Sequence, residues 1–246
     1  MSAWGWRVPF AVGALMGLYS LIMRARMKET DHFTETKQLS VTVKQDPMVK
    51  QIWQNRVRAL QVIGLTVGLT VLYYIWSVST PAYAIKVLGM DASVALWVGV
   101  AANLCFMAFF PLWGMLSDRI GRRPVMLISN IGGAVMQIPL SMMVQGEWWQ
   151  LFLAMFGMLL FISGSAAIVP AIYAELFPTS IRTVGVAIPY SIAVAVFGGT
   201  AAYLQAGFQE WFGNSGGMAF SVYAILLLLV SALTAYKIPE SRGKVL

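Results

Sequence analysis

Charge is scarce in this sequence: Asp, Glu, Lys and Arg supply 11% of its 246 residues, against a hydrophobic share of 59% and a mean hydropathy of +0.72. Soluble domains carry about 25% charged residues, so the composition excludes a chain that covers one core with a polar coat in water. Cysteine occurs once, at Cys105 within an apolar run, which excludes an intrachain disulfide. Histidine also occurs once, at His32 in a polar stretch, where a solvated ring is expected. The apolar runs hold neither a metal-ligand cluster nor a nucleophile–base pair, so no metal, no other cofactor and no enzyme activity is expected. Residues 1–6 lack a basic n-region and a small-residue cleavage site, which argues against a signal peptide.

What the chain has in abundance is long apolar runs. A helix needs about 20 residues to cross the hydrocarbon core, with every backbone polar group bonded inside the segment. Seven stretches qualify, near 5–23, 59–80, 93–116, 124–144, 151–173, 184–203 and 218–236, and none contains Asp, Glu, Lys or His. Trp4, Trp6, Trp148, Trp149, Trp211 and Tyr236 lie at or near their ends, where amphipathic rings prefer the interface. The expected fold is all-α and integral to the membrane, with about seven transmembrane helices.

The direction of these helices follows from the net charge of +7. Residues 24–58, 117–123, 174–183 and 237–246, which lie on one side, hold 15 of the 17 Lys and Arg; the other side has only Arg7 and Lys86. The positive-inside rule then predicts an N-terminus outside and a C-terminus in the cytoplasm. The basic balance reports topology, and no nucleic-acid partner is expected. The long 24–58 loop should include short helices near the membrane surface.

Three short segments carry more than topology. Gly114-Met115-Leu116-Ser117-Asp118-Arg119-Ile120-Gly121-Arg122-Arg123-Pro124 forms the turn between the third and fourth runs. Gly121 permits a tight reversal, Pro124 suits a first helical turn, and Asp118 is placed to accept bonds from nearby free backbone N–H groups. Ala174-Glu175-Leu176-Phe177-Pro178-Thr179-Ser180-Ile181-Arg182 joins the fifth and sixth runs, and Pro239-Glu240-Ser241-Arg242-Gly243 follows the last. The first segment resembles the G-x-L-S-D-R-x-G-R-R-P loop of the major facilitator superfamily. The other two are similar to the E-x-F-P-T-x-x-R loop and P-E-[ST]-[KR]-G tail of its sugar-porter and metabolite:proton symporter branches. Trp4–Phe10 resembles the start of that branch's sixth helix, and Phe197-Gly198-Gly199-Thr200-Ala201 the eleventh helix of its dicarboxylate permeases.

The resemblance implies a C-terminal portion of a twelve-helix transporter, equivalent to helices six to twelve, with the first five absent. Residues 1–23 would be helix six, 24–58 a cytoplasmic central loop, 59–236 a six-helix bundle and 237–246 a cytoplasmic tail. It also implies a plasma-membrane symporter of a small polar solute, a carboxylate being favoured, working with protons, the lipid bilayer and the missing N-terminal helices as partners. A membrane scaffold or regulatory fragment that transports nothing is the alternative. By the same resemblance Asp118, Arg119, Arg122, Arg123, Glu175, Arg182 and Glu240 would form a cytoplasmic gate.

The apolar runs themselves offer candidate pathway residues. Thr66, Thr70, Tyr73, Ser77 and Thr80 recur at helical spacing and fall within roughly 80° of one face, flanked by Tyr74 and Trp76. Such a face should avoid lipid, and it is expected to wall a substrate pathway; hydroxyls bonded to their own backbone are the other reading. Asn103, Ser163, Ser165 and Tyr190, with Pro189 beside it, are further candidates. Asn130, Gly133 and Gln137 share a face expected to meet other helices, and the Gly13/Gly17 and Gly64/Gly68 pairs read as close-packing sites. No run holds a carboxylate or histidine in its interior, so a proton carrier and a cation for an anionic solute would both come from outside these helices.

Overall fold

The computed structural model describes residue 5 and residues 7–26, 53–178 and 181–239. The expected surface helices of the long loop, His32 and the Glu240 tail motif fall outside those residues. The chain divides into two compact units, residues 1–47 and 48–246. In the first, α1 (Arg7–Arg26) has no buried residue and ends on Arg24 and Arg26, a favourable sign at a helix C-terminus.

The second unit is a helical bundle. Its first crossing joins α2 (Arg56–Tyr73), a π-helical segment Tyr74–Ser79 and α3 (Thr80–Lys86) without interruption. The next joins α4 (Ala92–Ala108) and α5 (Phe110–Ile120) through Phe109, whose N–H donates to Cys105 O at 3.1 Å and whose O accepts from Trp113 N at 3.0 Å. Asp91 caps α4 by accepting from Val94 N at 3.1 Å. Then follow α6 (Arg122–Met143) and α7 (Trp148–Leu176), the latter opened by a capping box between Glu147 and Gln150. α8 (Arg182–Ala193), a π segment Val194–Gly198 and α9 (Ala201–Phe212) form the next crossing, and α10 (Gly216–Lys237) the last.

Six helical stretches are long and apolar enough to cross a membrane, the last being the 56 residues Arg182–Lys237. That stretch is two crossings. Gly213, at φ 52°, reverses the chain, and α9 packs back on α10 through Phe208, whose ring lies 5.9 Å from both Phe220 and Tyr223. Most helices outrun their apolar stretches, the first crossing of the bundle to Lys86 and the α8–α9 crossing to Phe212. Backbone bonding does not stop where the apolar residues do.

α2, α6, α7 and α10 share the core, with Leu65, Leu72, Met126, Met155, Met158 and Leu159 fully buried. Lipid offers no hydrophobic drive between helices, so close backbone approach has to hold them. Gly64 and Gly68 supply it, as their spacing predicts: Ser231 Oγ donates to Gly64 O at 2.7 Å and accepts from Gly68 N at 3.1 Å.

Candidate functional site

At one end of the bundle Gly121, at φ 104°, turns α5 into α6, and its N–H closes α5 on Ser117 O at 2.8 Å. The first residue of α6, Arg122, reaches the last turn of α7 and pairs with Glu175, Nη1 to Oε1 at 2.7 Å. The Glu175 side chain is 9% exposed, and among the described residues its buried Oε2 has no partner. Arg123 lies over the Tyr236 ring at 4.2 Å, tying α6 to the end of α10. Arg182 donates from Nε to Phe177 O at 3.4 Å.

Of the gate candidates, the structure brings Arg122 and Glu175 into contact. Among the described residues Arg182 makes no ion pair with them, and Asp118 and Arg119 are exposed. Glu240 lies outside the described residues. Asp118 was expected to accept from nearby backbone N–H groups, and among the described residues the start of α6 has no side-chain cap. Helix α5 continues to Ile120, so Asp118 sits in its last turn, and a helical Cβ points back toward its own N-terminus. The cap position belongs to Gly121, which has no side chain to offer.

The hydroxyl stripe of the first bundle crossing divides. Thr66 is buried, with Oγ1 donating to Val62 O at 2.6 Å and sharing a hydrogen bond with Tyr173 Oη. Thr70 is buried where Gly198 passes; a Cβ there would lie 2.7 Å from Thr70 Oγ1 and 2.9 Å from the Tyr74 ring. Thr80 donates to Ile75 O at 2.9 Å. From Tyr74 onward the π segment, with i→i+5 turns wider than those of an α-helix, also shifts the register assumed by a 100° wheel.

Tyr73 and Tyr74 remain exposed at 37% and 36%, with their rings edge to face at 6.1 Å. Ser77 donates to Asn103 Oδ1 at 2.7 Å, while Asn103 Nδ2 donates to Gly99 O at 2.9 Å, so these half-buried groups link the π segment to α4. The buried Phe106 ring backs this pair, 5.7 Å from Tyr73. Tyr190 is exposed on α8, its ring 6.2 Å from Tyr173. Ser163 and Ser165 are buried inside the bundle: Ser163 donates to Leu160 O at 2.7 Å and Ser165 Oγ accepts from Asn130 Nδ2 at 3.3 Å. Their partners are their own helix and α6.

Tyr173 and the contact between Trp76 Nε1 and Gln137 Oε1, 3.0 Å, did not emerge from spacing. A single polar group in an apolar run has no period to betray it, although glutamine in such a run is itself a signal. The face of Asn130, Gly133 and Gln137 does meet other helices, at Ser165, at Leu228 and Met158, and at Trp76.

The profile of a family described as Sugar (and other) transporter matches residues 29–246. The chain is 34% identical to an alpha-ketoglutarate permease of Escherichia coli (strain K12), over 98% of this chain and 54% of that protein. It is 30% identical to a citrate-proton symporter of Klebsiella pneumoniae, over 94% of this chain and 52% of the relative. A shikimate transporter of Escherichia coli (strain K12) is 24% identical over 98% of this chain and 55% of its own length. The chain thus spans about half the length of the curated relatives it matches. These relatives are transporters and not enzymes, and the crossings described above make a multi-pass membrane protein. With profile and relatives in agreement along nearly all its length, the chain belongs to the Sugar (and other) transporter family, among the metabolite:proton symporters of the major facilitator superfamily.

Proposed function

We propose that this chain forms one half of a secondary transporter that moves a small carboxylate together with protons by alternating access. The observation that carries the reading is the 34% identity to an alpha-ketoglutarate permease across 98% of this chain. The relative named as a citrate-proton symporter supports protons as the coupling ion. On this reading the crossings from α2 to α10 rock as one bundle against a second bundle supplied by further chain, about a site at their interface.

Tyr73, Tyr74, Ser77, Asn103 and Tyr190 form this half's wall of the pathway, offering hydroxyl, amide and ring edges to a solute. The buried Ser163 and Ser165 hold α7 in place behind that wall. The wall carries no formal charge, so the cation that receives the carboxylate and the group that carries the proton belong to the facing bundle. The charge asymmetry supports an N-terminus outside and a C-terminus in the cytoplasm of a plasma membrane. The Arg122–Glu175 end is then cytoplasmic, and with Asp118, Arg119, Arg123, Arg182 and Glu240 it forms a gate whose bonds favour the state in which they are made.

The test is a chimera in which this chain replaces the segment it matches in the alpha-ketoglutarate permease. In proteoliposomes it should accumulate labelled alpha-ketoglutarate or citrate under an imposed pH gradient and lose that accumulation when a protonophore is added. Uptake of neither acid, or uptake indifferent to the protonophore, overturns the reading.

A further inference from the structure

At the end of the bundle opposite the Arg122–Glu175 pair lies a half-open cavity of about 300 Å³. It sits between the π segment and α3, the last turns of α6, the end of α9 and the start of α10; of the expected hydroxyl stripe only Thr80, with the flanking Trp76, lines it, while Tyr73, Tyr74, Ser77, Asn103 and Tyr190 do not. That volume is at the lower edge of the range of about 300–1,000 Å³ in which ligand pockets fall.

Two buried side chains face it with hydrogen-bonding capacity unspent. Gln137 is 3% exposed and accepts from Trp76 Nε1 on its Oε1. An indole N–H can only donate, so the carboxamide is fixed in one orientation and its Nε2, with two N–H donors, is turned to the other side. Among the described residues that Nε2 has no protein partner, and it is not sealed from the cavity. Ser221, also 3% exposed, lines the same space with an Oγ that bonds to no described residue. Burying such groups without partners costs free energy, and a cavity that presents them together is built to be filled by acceptors and donors.

The rest of the lining narrows the class of ligand. Gln205 and Gln209 add amides that both donate and accept, Trp76 and Tyr83 add aromatic walls, and no lining residue bears a formal charge. A carboxylate entering here would shed water without meeting a cation, which is unfavourable in a low-dielectric site. A neutral polyhydroxy compound would meet donors, acceptors and ring faces together. We propose that this cavity is a second binding site, separate from the transport pathway, for a small uncharged polyol or sugar.

The experiment is equilibrium binding of labelled sorbitol to the purified chain in phosphatidylcholine nanodiscs, which contain no sugar headgroup. Because binding is read without transport, its failure is distinct from failure of the symport reading. Saturable binding is expected, displaced by unlabelled sorbitol and unmoved by equimolar succinate. Gln137→Leu should weaken it about tenfold, as expected for lost hydrogen bonds to the ligand. Ser141→Phe, which fills the cavity from its α6 wall and leaves the Trp76–Gln137 bond intact, should abolish it while the melting temperature is retained. Absence of saturable binding, displacement by succinate as effective as by sorbitol, or undiminished binding to a folded Ser141→Phe chain would overturn the proposal.

Discussion

A carboxylate as buried as Glu175, at the end of a long membrane helix, has to meet a cation, because an uncompensated buried charge is far costlier than a broken surface pair. Arg122 provides that cation at 2.7 Å, itself 25% exposed, so the pair ranks between surface and interior. Replacing Arg122 with Ala should therefore lower the thermal midpoint of the purified chain in detergent. Adding Glu175→Gln to that variant should restore stability, by about 1–2 kcal/mol, since the orphaned charge is then removed. A double variant no more stable than Arg122→Ala alone would show that the pair carries no buried-charge energy. The two partners are 53 positions apart, and no periodicity joins them; they were legible only through the family loops that contain them. The same loop suggested Asp118 as an acceptor for nearby backbone N–H groups, and there local geometry prevailed: α5 runs on to Ile120, past the end of its apolar run at 116. Tyr173 was illegible in role, and Gln137 was legible as a contact between helices but not in its partner, because what defines each is one group on another helix.

Helices were readable because a bilayer demands about 20 apolar residues in a row, and each crossing of the bundle overlaps the run expected for it. Their ends were less readable, since a helix goes on bonding in the headgroup zone after its apolar residues stop. The face of the first crossing was read on an α-helical wheel, whose register shifts where the π segment begins at Tyr74, a change that sequence spacing does not announce. Packing between elements was legible where small residues recur. A Cβ on Gly68 would lie 2.8 Å from Ser231 Oγ and 3.0 Å from Leu227 O, a backbone atom that cannot swing aside. Gly68→Ala should push α2 from α10 and cost about 1–3 kcal/mol, the range for overpacking. Gly114 has nothing within 4 Å, so Gly114→Ala should be neutral or gain up to about 1 kcal/mol of helix propensity. The two variants, compared by detergent melting curves monitored by circular dichroism, should move in opposite directions or at least be well separated. Equal shifts would mean that the α2–α10 approach is not tight.

For the whole molecule, charge and coverage together set what the chain can do by itself. On the proposed orientation, which puts the basic end of the bundle in the cytoplasm, cysteines placed at Glu147 or Asn214, in a Cys105→Ser background, should react with an impermeant thiol reagent on intact cells, while one at Arg119 should react only after permeabilisation. Labelling of Arg119→Cys from outside would reverse the orientation. Transport makes a stronger demand, because alternating access needs two bundles that move about a shared site. The described part of residues 48–246 supplies one bundle, α1 belongs to a separate unit, and the chain covers about half the length of its relatives. The exposed Tyr73, Tyr74 and Tyr190 rings, proposed as one wall of the pathway, would need a second bundle to close against. No crossing holds a carboxylate or histidine in its apolar interior, so protons have no carrier within the bundle. Purified 246-residue chain in proteoliposomes should therefore accumulate none of a panel of labelled dicarboxylates, shikimate or betaine under an imposed pH gradient, while the chimera with the permease does. Gradient-dependent accumulation by the chain free of any partner would show that a single bundle and α1 suffice, and the two-bundle mechanism would have to be abandoned.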